Sequence, residues 1–173
     1  MKKYRLPDDF IDLFRCLSAA KCEFVLVGAY AMAAWGYIRT TGDIDVFINS
    51  TEENASRVWK ALRNFGAPLG TLREGDLSKP CTIFQMGVPP LRIDILTSID
   101  GVEFKDLRGH IRKSNVFGEP LPILSPQKLL KISWPLGALK IKLMLPNSEK
   151  SLKRGNGRYE ARRGYASVAF CED

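Results

Sequence analysis

The chain has 173 residues, of which 26 are Lys or Arg and 19 are Asp or Glu, so its formal net charge is +7. Its 45% hydrophobic content is ordinary for a globular protein, and its length suits one domain with a core of its own. No run approaches the ~18 apolar residues of a membrane span. The first ten residues carry charge without a following apolar region, which is not typical of a signal peptide. We therefore expect a cytoplasmic protein that has no membrane segment.

The four cysteines and the single histidine give no metal-binding motif. The cysteines are Cys16, Cys22, Cys81 and Cys171, and no two of them form a C-x-x-C pair. With one histidine they make a poor zinc site, so we expect free thiols in a reducing compartment. His110 lies in the charged stretch 105–113, where a lone histidine is typical of the surface, and it receives no predicted role.

Hydrophobic periodicity and turn residues predict an alternation of helices and strands. In chain order the predicted elements are a helix at 7–20, a strand at 24–27, a short helix at 30–35, a strand at 43–48, a helix from Ser50 or Thr51 to Gly66, a hairpin of 81–88 and 91–97, a strand at 121–124 and a helix capped by Ser125. We therefore predict an α/β (α+β) domain over residues 1–131, with a small mixed β-sheet flanked by helices.

Two carboxylates stand two residues apart in the predicted strand 43–48. Successive side chains of a strand point to opposite faces, so Asp43 and Asp45 share one face, roughly 6.5 Å apart along the backbone. Carboxylates that repel each other in this way indicate a cation between them. Hard divalent cations such as Mg²⁺ prefer oxygen ligands and share them with substrate phosphates. The alternative is the solvated face of an edge strand, and the pair alone does not decide between the two.

A third carboxylate fits the same interpretation. Asp94 lies in the middle of Leu91–Leu96, an alternating and β-rich segment in which Ile93 and Ile95 flank the acid. An acid in this setting faces solvent or a site rather than the core. Arg92 shares its strand face, and either pairs with Asp94 or reaches a substrate.

The order of these features resembles the nucleotidyltransferase superfamily. That superfamily includes polymerase beta, the aminoglycoside nucleotidyltransferases and minimal bacterial members of toxin–antitoxin and abortive-infection systems. The resemblance rests on Gly28-Ala29, a 13-residue spacer, Asp43-Ile44-Asp45 and the later Asp94. It covers roughly residues 8–131 and is closest to small prokaryotic nucleotidyltransferase-like proteins. It implies the nucleotidyltransferase fold.

The resemblance implies a nucleotide-binding site formed by Gly28, Ala29, Arg39 and Thr41. In the superfamily the turn at Gly28 presents backbone N–H groups to the phosphates of the nucleotide, which requires a residue with little or no side chain. Most relatives have Gly-Gly or Gly-Ser here, and Ala29 lacks the serine hydroxyl, which weakens the expected phosphate contact. Two alternatives stay open: Gly28 serves only a strand-to-helix turn, and Arg39 forms a structural salt bridge instead of binding phosphate.

The resemblance also implies a metal-dependent reaction. A hydroxyl of the acceptor attacks the α-phosphorus of a nucleoside triphosphate such as ATP, and pyrophosphate leaves. Two Mg²⁺ ions about 4 Å apart would bridge the acids and the phosphates. Asp43 and Asp45 would hold both ions, and Asp94 would complete one metal site and help to deprotonate the hydroxyl. The implied partners are the triphosphate, a tRNA, protein or small-molecule acceptor, and a cognate antitoxin; the residues do not choose among acceptors or bases.

The sequence changes character after Lys131. Pro135 stops the helix that relatives continue here, and residues 132–173 hold eight basic and four acidic residues without sustained periodicity, which predicts a poorly ordered basic tail. A sharper hypothesis is that the tail is out of frame. Codons for residues 132–145 can be chosen so that a shifted frame resembles Gly-Arg-x-Lys-Asp-x-Ala-Asp, the helix that the resemblance predicts at this point. The nucleotide sequence decides this hypothesis.

Three classes of function fit these residues. The first is a metal-dependent nucleotidyltransferase, and the second is a catalytically degenerate copy of the same fold that binds a nucleotide or a partner protein. The third is an RNA-binding protein that uses the tail, which predicts salt-dependent affinity that is lost on deletion of residues 132–173. The tail interleaves few aromatic residues with its basic residues beyond Tyr159 and Tyr165, so the sequence favours the first two classes.

Overall fold

A computed structural model describes residues 6–37, 42–88, 91–99, 102–116, 118–131 and 166–170. The helices are α1 (Asp8–Ala19), α2 (Gly28–Ala34), α3 (Glu52–Phe65) and α4 (Pro126–Lys131), with 3₁₀ helices at Glu74–Ser78 and Phe104–His110. The strands are β1 (Phe24–Val27), β2 (Asp43–Ile48), β3 (Thr82–Val88), β4 (Leu91–Leu96), β5 (Ile111–Val116), β6 (Glu119–Leu124) and β7 (Ala166–Phe170).

Within these residues, seven strands form one mixed sheet in the order β5-β6-β1-β2-β4-β3-β7. Strand β1 runs antiparallel to β2 and parallel to β6, and β2 runs parallel to β4. The β3–β4 hairpin is antiparallel, as the sequence predicted, and so is the β5–β6 pair. The predicted fold class, an α/β arrangement with a mixed sheet and flanking helices, is therefore confirmed.

The core forms where amphipathic helices cover the apolar strands. In α1, Phe10, Leu13, Phe14 and Leu17 follow helical spacing and all four are buried, so they form one apolar stripe of the predicted helix. Helix α1 packs against α3, and every residue of β1 is buried. Each large apolar side chain that is fully buried contributes about 1.5–3 kcal/mol. The central strands β1, β2 and β4 are thus fixed by the core, and they hold the side chains on their other face in defined positions.

Two of the predicted caps can be compared with the structure. Of the alternatives Ser50 and Thr51, Thr51 is the cap of α3, since its side chain accepts a hydrogen bond from the Asn54 N–H. Gly66 ends this helix in a left-handed conformation, as predicted. Ser125 directly precedes α4, as predicted, and its carbonyl accepts from the N–H groups of Lys128 and Leu129. Its hydroxyl has no hydrogen-bond partner among the described residues.

Strands β5 and β7 were not predicted. Strand β5 contains part of the charged stretch 105–113, and its exposed Arg112 and Lys113 hide the strand pattern because β5 is an edge of the sheet. Strand β7 pairs with β3, so the prediction of a poorly ordered tail is wrong for Ala166–Phe170. Backbone pairing with a free strand edge forms β7, and it requires no periodic sequence. The remaining residues of 132–173, and with them the frame hypothesis, lie outside the described residues.

Two further expectations concern the membrane and the thiols. None of the described helices combines the length and the apolar character needed to cross a membrane. Cys16, Cys22 and Cys81 are half-buried. Burial raises the pKa of Cys22 to about 11, so this thiol stays protonated at neutral pH and is a poor metal ligand.

Candidate active site on strands β2 and β4

The parallel pairing of β2 and β4 brings the three predicted acids to one place on the sheet. Asp45 is the register partner of Asp94, and Asp43 is the register partner of Arg92. Register partners on neighbouring strands project from the same face of a sheet. These four side chains therefore form one polar row, while the residues that alternate with the acids in β2 are buried in the core.

Arg92 joins two of the acids. Its Nε donates to Asp94 Oδ1 at 2.9 Å, and one terminal nitrogen donates to Asp43 Oδ2 at 2.9 Å and to Asp94 Oδ2 at 3.3 Å. The side chain of Asp94 is 9% exposed, that of Arg92 28% and that of Asp43 38%. Of the two alternatives predicted for Arg92, the structure shows the pairing with Asp94, and it extends this pairing to Asp43 across the strands.

Gln85 belongs to the same row, and the sequence analysis missed it. It is the register partner of Asp94 on β3, and its Nε2 donates to Asp94 Oδ2 at 3.1 Å in a buried position. A buried polar side chain needs such a partner. The signal that could have found it is a lone amide in the otherwise apolar run Ile83-Phe84-Gln85-Met86, opposite an acid in a predicted hairpin.

Gly28 opens α2 directly against Asp45. Its φ is +67°, in the left-handed region that favours glycine. A Cβ at this position would lie 2.0 Å from Asp45 Oδ2 and 2.9 Å from Asp45 Cγ. A side chain cannot occupy that space while the carboxylate is there. Gly28 therefore serves both the strand-to-helix turn and the position of Asp45.

Burial and like charge oppose the ionisation of Asp45. Removal from water is the larger cause, the charges of Asp94 and Asp43 add to it, and together they raise the pKa of Asp45 to about 7 against the opposing effect of Arg92. Burial also raises the pKa of Asp94, although Arg92 and the hydrogen bond from Gln85 act in the other direction. The hydrogen bonds of Arg92 go to the other two acids. Asp45 is thus the carboxyl group with the least compensated charge.

Tyr30 is a second neighbour that the sequence did not single out. Burial raises the pKa of its hydroxyl, and the charge of Asp43 raises it further, so Tyr30 stays protonated at neutral pH. Its ring packs edge-on against Phe10, with ring centroids 5.8 Å apart. In the sequence it is one apolar residue of a short helix, and nothing there distinguishes a neighbour of the acids from an ordinary core residue.

The donor chemistry of the row fits a hard divalent cation. Three carboxylates offer the oxygen ligands that Mg²⁺ prefers, and the absent side chain of Gly28 leaves the space that the Asp45 carboxylate fills. Among the residues that the structure describes, however, no group of three or more His, Cys, Asp and Glu side chains is arranged to hold a metal ion. The carboxylates of Asp43 and Asp94 are both turned to the guanidinium of Arg92 instead.

The predicted nucleotide-binding residues are only partly within the structure. Arg39 and Thr41 lie outside the described residues, so their role stays a prediction. Gly28 and Ala29 are the first two residues of α2, which places this turn beside Asp45. The structure thus brings together Gly28, Ala29 and the three acids.

A cavity of about 420 Å³ lies beside α4, at the other end of α2. Its lining consists of Trp35, His110, Arg112, Ser125, Pro126 and Gln127. The indole N–H of Trp35 donates to the Leu124 carbonyl at 2.9 Å, which fixes the ring in the cavity wall. His110, to which the sequence analysis assigned no role, is an exposed residue, as predicted, and is one of the residues that line this cavity.

Comparisons with known proteins yield a distant structural similarity and no family. No protein-family model matches the chain, and no curated protein is significantly similar to it. A crystal structure from Thermotoga maritima, of a protein provisionally assigned as a nucleotidyltransferase, is 15% identical, with a TM-score of 0.47; the alignment covers 76% of this chain and 87% of that one. The function of this chain is therefore argued from the geometry of its own site.

Proposed function

We propose that the protein is a nucleotidyltransferase, which transfers a nucleoside monophosphate from a nucleoside triphosphate to a hydroxyl group of an acceptor. The observation that carries this proposal is the row of Asp43, Asp45 and Asp94 on two adjacent parallel strands, with the start of α2 held against Asp45 by Gly28. The superfamily resemblance supplies the reaction class, and this geometry supports it.

In the proposed reaction the oxygen of the acceptor hydroxyl forms a bond to the α-phosphorus. The bond from the α-phosphorus to its bridging oxygen breaks, pyrophosphate leaves, and the hydroxyl proton passes to a base, for which Asp94 is the candidate. A triphosphate and three carboxylates repel each other. A divalent cation held by Asp43, Asp45 and Asp94 would neutralise that charge and polarise the phosphate oxygens. The raised pKa of Asp45 supports a need for positive charge at this point.

The finer parts of the proposal come from the resemblance. The proposed cation is Mg²⁺, with two ions, and the proposed substrate is a triphosphate such as ATP, bound by Gly28, Ala29, Arg39 and Thr41. A tRNA or protein acceptor, a cognate antitoxin and a cytoplasmic location belong to the same proposal.

The second candidate is a catalytically degenerate module that binds nucleotide without transferring it. The bridge from Arg92 to Asp43 and Asp94 favours this candidate, because the guanidinium engages carboxylate oxygens that a catalytic metal ion would need. The two candidates differ in one product. Only the enzyme releases pyrophosphate when an acceptor is present.

The experiment is a thermal melt of the full chain with Mg²⁺ and each nucleoside triphosphate in turn, followed by a pyrophosphate-release assay. A ligand at 100 times its Kd stabilises the folded chain by about 2.7 kcal/mol, which raises the Tm by a few degrees. We expect one Mg-nucleotide to raise the Tm of the wild type and to leave that of Asp43→Asn unchanged.

Glu52→Gln is the matched control for charge. Glu52 is exposed in the first turn of α3, so its loss should leave the nucleotide effect intact. A Tm shift without pyrophosphate release in any acceptor mixture would favour the degenerate module. If no nucleotide moves the Tm of the wild type, or if it moves that of Asp43→Asn equally, the proposal is wrong.

A further inference from the structure

The polar row contains its own cation. Asp43, Asp45 and Asp94 would bring three negative charges to one sheet face, and Arg92 brings one positive charge to the same face. Its guanidinium spans the gap between the strands, since it bonds Asp94 on its own strand and Asp43 on β2. A cation that bridges two carboxylates supplies positive charge between them, as a metal bound by those carboxylates would, although with one unit of charge instead of two.

The bond geometry makes Arg92 a bidentate partner. Two of its nitrogens reach the two oxygens of Asp94, at 2.9 Å and 3.3 Å, and this fork is the strong form of an Arg–carboxylate pair. The nitrogen that makes the longer bond also donates to Asp43. Each oxygen that accepts from the guanidinium has part of its lone-pair capacity occupied, and the positive charge of Arg92 repels a divalent ion that approaches the same carboxylates.

The two side chains of the Arg92–Asp94 pair differ in their exposure to solvent. The side chain of Arg92 is 28% exposed, whereas that of Asp94 is 9% exposed, so the arginine is the more accessible member of the pair. The acids are short side chains fixed on central strands, and Asp94 is further held by Gln85. A change of partner at this site therefore requires a rotation of Arg92 rather than a movement of the sheet.

We infer that Arg92 is a positioning residue that acts as a built-in counter-ion, which holds Asp43 and Asp94 until a divalent cation displaces it. This inference rests on the proposed function for the identity of the site, and it goes beyond that function in assigning a competitor to the metal. A purely structural ion pair would give the same contacts, but it would not compete with a cation.

The test is the affinity of the metal-free chain for Mn²⁺ alone, measured from the electron paramagnetic resonance signal of free Mn²⁺. Wild type is compared with Arg92→Gln, and Arg112→Gln is the matched control. Arg112 is exposed on the edge strand β5, and its described hydrogen bonds reach only nearby backbone carbonyls. Removing a cation that lies beside the ligand oxygens should tighten Mn²⁺ binding by about tenfold or more, and the control should match wild type.

A second variant protects the test against misfolding. Arg92→Lys keeps the charge but loses the fork, so its Mn²⁺ affinity should lie between those of wild type and Arg92→Gln. Arg92→Gln should also have a lower Tm than wild type in chelator and regain more of it on addition of Mn²⁺. If both Arg92 variants bind Mn²⁺ no more tightly than wild type, Arg92 is a structural ion pair and the inference is wrong.

The failure of this inference differs from the failure of the proposed function. Tighter Mn²⁺ binding in Arg92→Gln, with no nucleotide bound by any variant, would support the counter-ion and contradict the nucleotidyltransferase. Nucleotide binding with unchanged Mn²⁺ affinity would do the reverse. No nucleotide enters the Mn²⁺ measurement, so neither result depends on the other.

Discussion

The antiparallel pair β1–β2 has a polar cluster at each end, and the two clusters are built on different principles. At one end, beside the pair Phe24–Ile48, Asn54 is 2% exposed, and both its amide oxygen and its amide nitrogen form hydrogen bonds. Its Oδ1 accepts from the Glu23 N–H at 2.7 Å, and its Nδ2 donates to the carbonyls of Glu23 and Asn49 at 2.9 Å and 2.7 Å. At the other end, Val27 pairs with Asp45, whose like-charged neighbours raise its pKa.

The difference separates a structural cluster from a candidate site. The Asn54 cluster is neutral, its donors meet acceptors, and it closes the connection from α1 to β1 against the start of α3. The acid cluster has an excess of negative charge that one arginine compensates only in part. A protein gains no stability from such repulsion, and the proposed divalent cation would compensate the excess charge. Variants at each end can break or sharpen this comparison.

The largest effect is expected for Gly28→Ala. A non-glycine residue at this positive φ costs about 1–3 kcal/mol, and the new Cβ would meet the Asp45 carboxylate, which adds an overpacking cost of about 1–3 kcal/mol. We expect a loss of about 3 kcal/mol or more in the free energy of unfolding, measured by urea denaturation.

Gly66→Ala separates the two parts of that loss. Gly66 has a φ of +80°, and a Cβ there would meet no atom within 4 Å. Its substitution therefore carries the backbone cost alone. Equal losses for the two variants would mean that Asp45 moves aside without cost, which would contradict a fixed position for this acid.

Asn54→Ala should give the next largest loss, about 2 kcal/mol. The substitution removes three partly buried hydrogen bonds of the Asn54 side chain, each worth about 0.5–1.5 kcal/mol net, although the Glu23 carbonyl still accepts from the Asn49 N–H. Because the cluster is neutral, we expect the loss to be the same at pH 5 and pH 8. Asn64→Ala, at an exposed position of the same helix, should be nearly neutral. A loss at Asn54 that varies strongly with pH would remove the contrast between the clusters.

The local parts of this structure could be predicted from the sequence, and the parts that depend on strand pairing could not. The helical stripe of α1 and the shared face of Asp43 and Asp45 are consequences of helix and strand periods. The bond from Arg92 to Asp43 joins residues 49 positions apart. It depends on the register of β2 against β4, which no local pattern determines.

Gly28 and Gln85 differ in how far their roles could be predicted from the sequence. A glycine between a strand and a helix is ordinary in a sequence, and its fit against Asp45 appears only when β1 and β2 pair. Gln85 carried a usable signal, because an amide inside an apolar strand needs a buried partner. Strand β7 carried none, since it forms by pairing with the edge of β3.

The most diagnostic of these effects is the pH dependence of Asp45. Its pKa is about 7 in the folded chain, against 3.8 for the ordinary group. Between about pH 4 and pH 7 the folded chain keeps a proton that the unfolded chain has lost, so folding stability falls as the pH rises through this range. In chelator, Asp45→Asn should be more stable than wild type by about 1–4 kcal/mol at pH 8, where the upper bound follows from about 1.4 kcal/mol per unit of pKa shift, and the difference should vanish near pH 4.

Urea melts at half-unit steps from pH 4 to pH 8, beside Glu52→Gln, measure this difference. Part of the decline should persist in Asp45→Asn, because burial also raises the pKa of Asp94. A divalent cation should reduce the advantage of Asp45→Asn, since it would compensate the charge that the amide removes. If Asp45→Asn and wild type have parallel pH profiles in chelator, Asp45 titrates like an exposed acid. The two ends of the β1–β2 pair would then differ only in their hydrogen bonds, and the case for a cation at the acid cluster would fall with that difference.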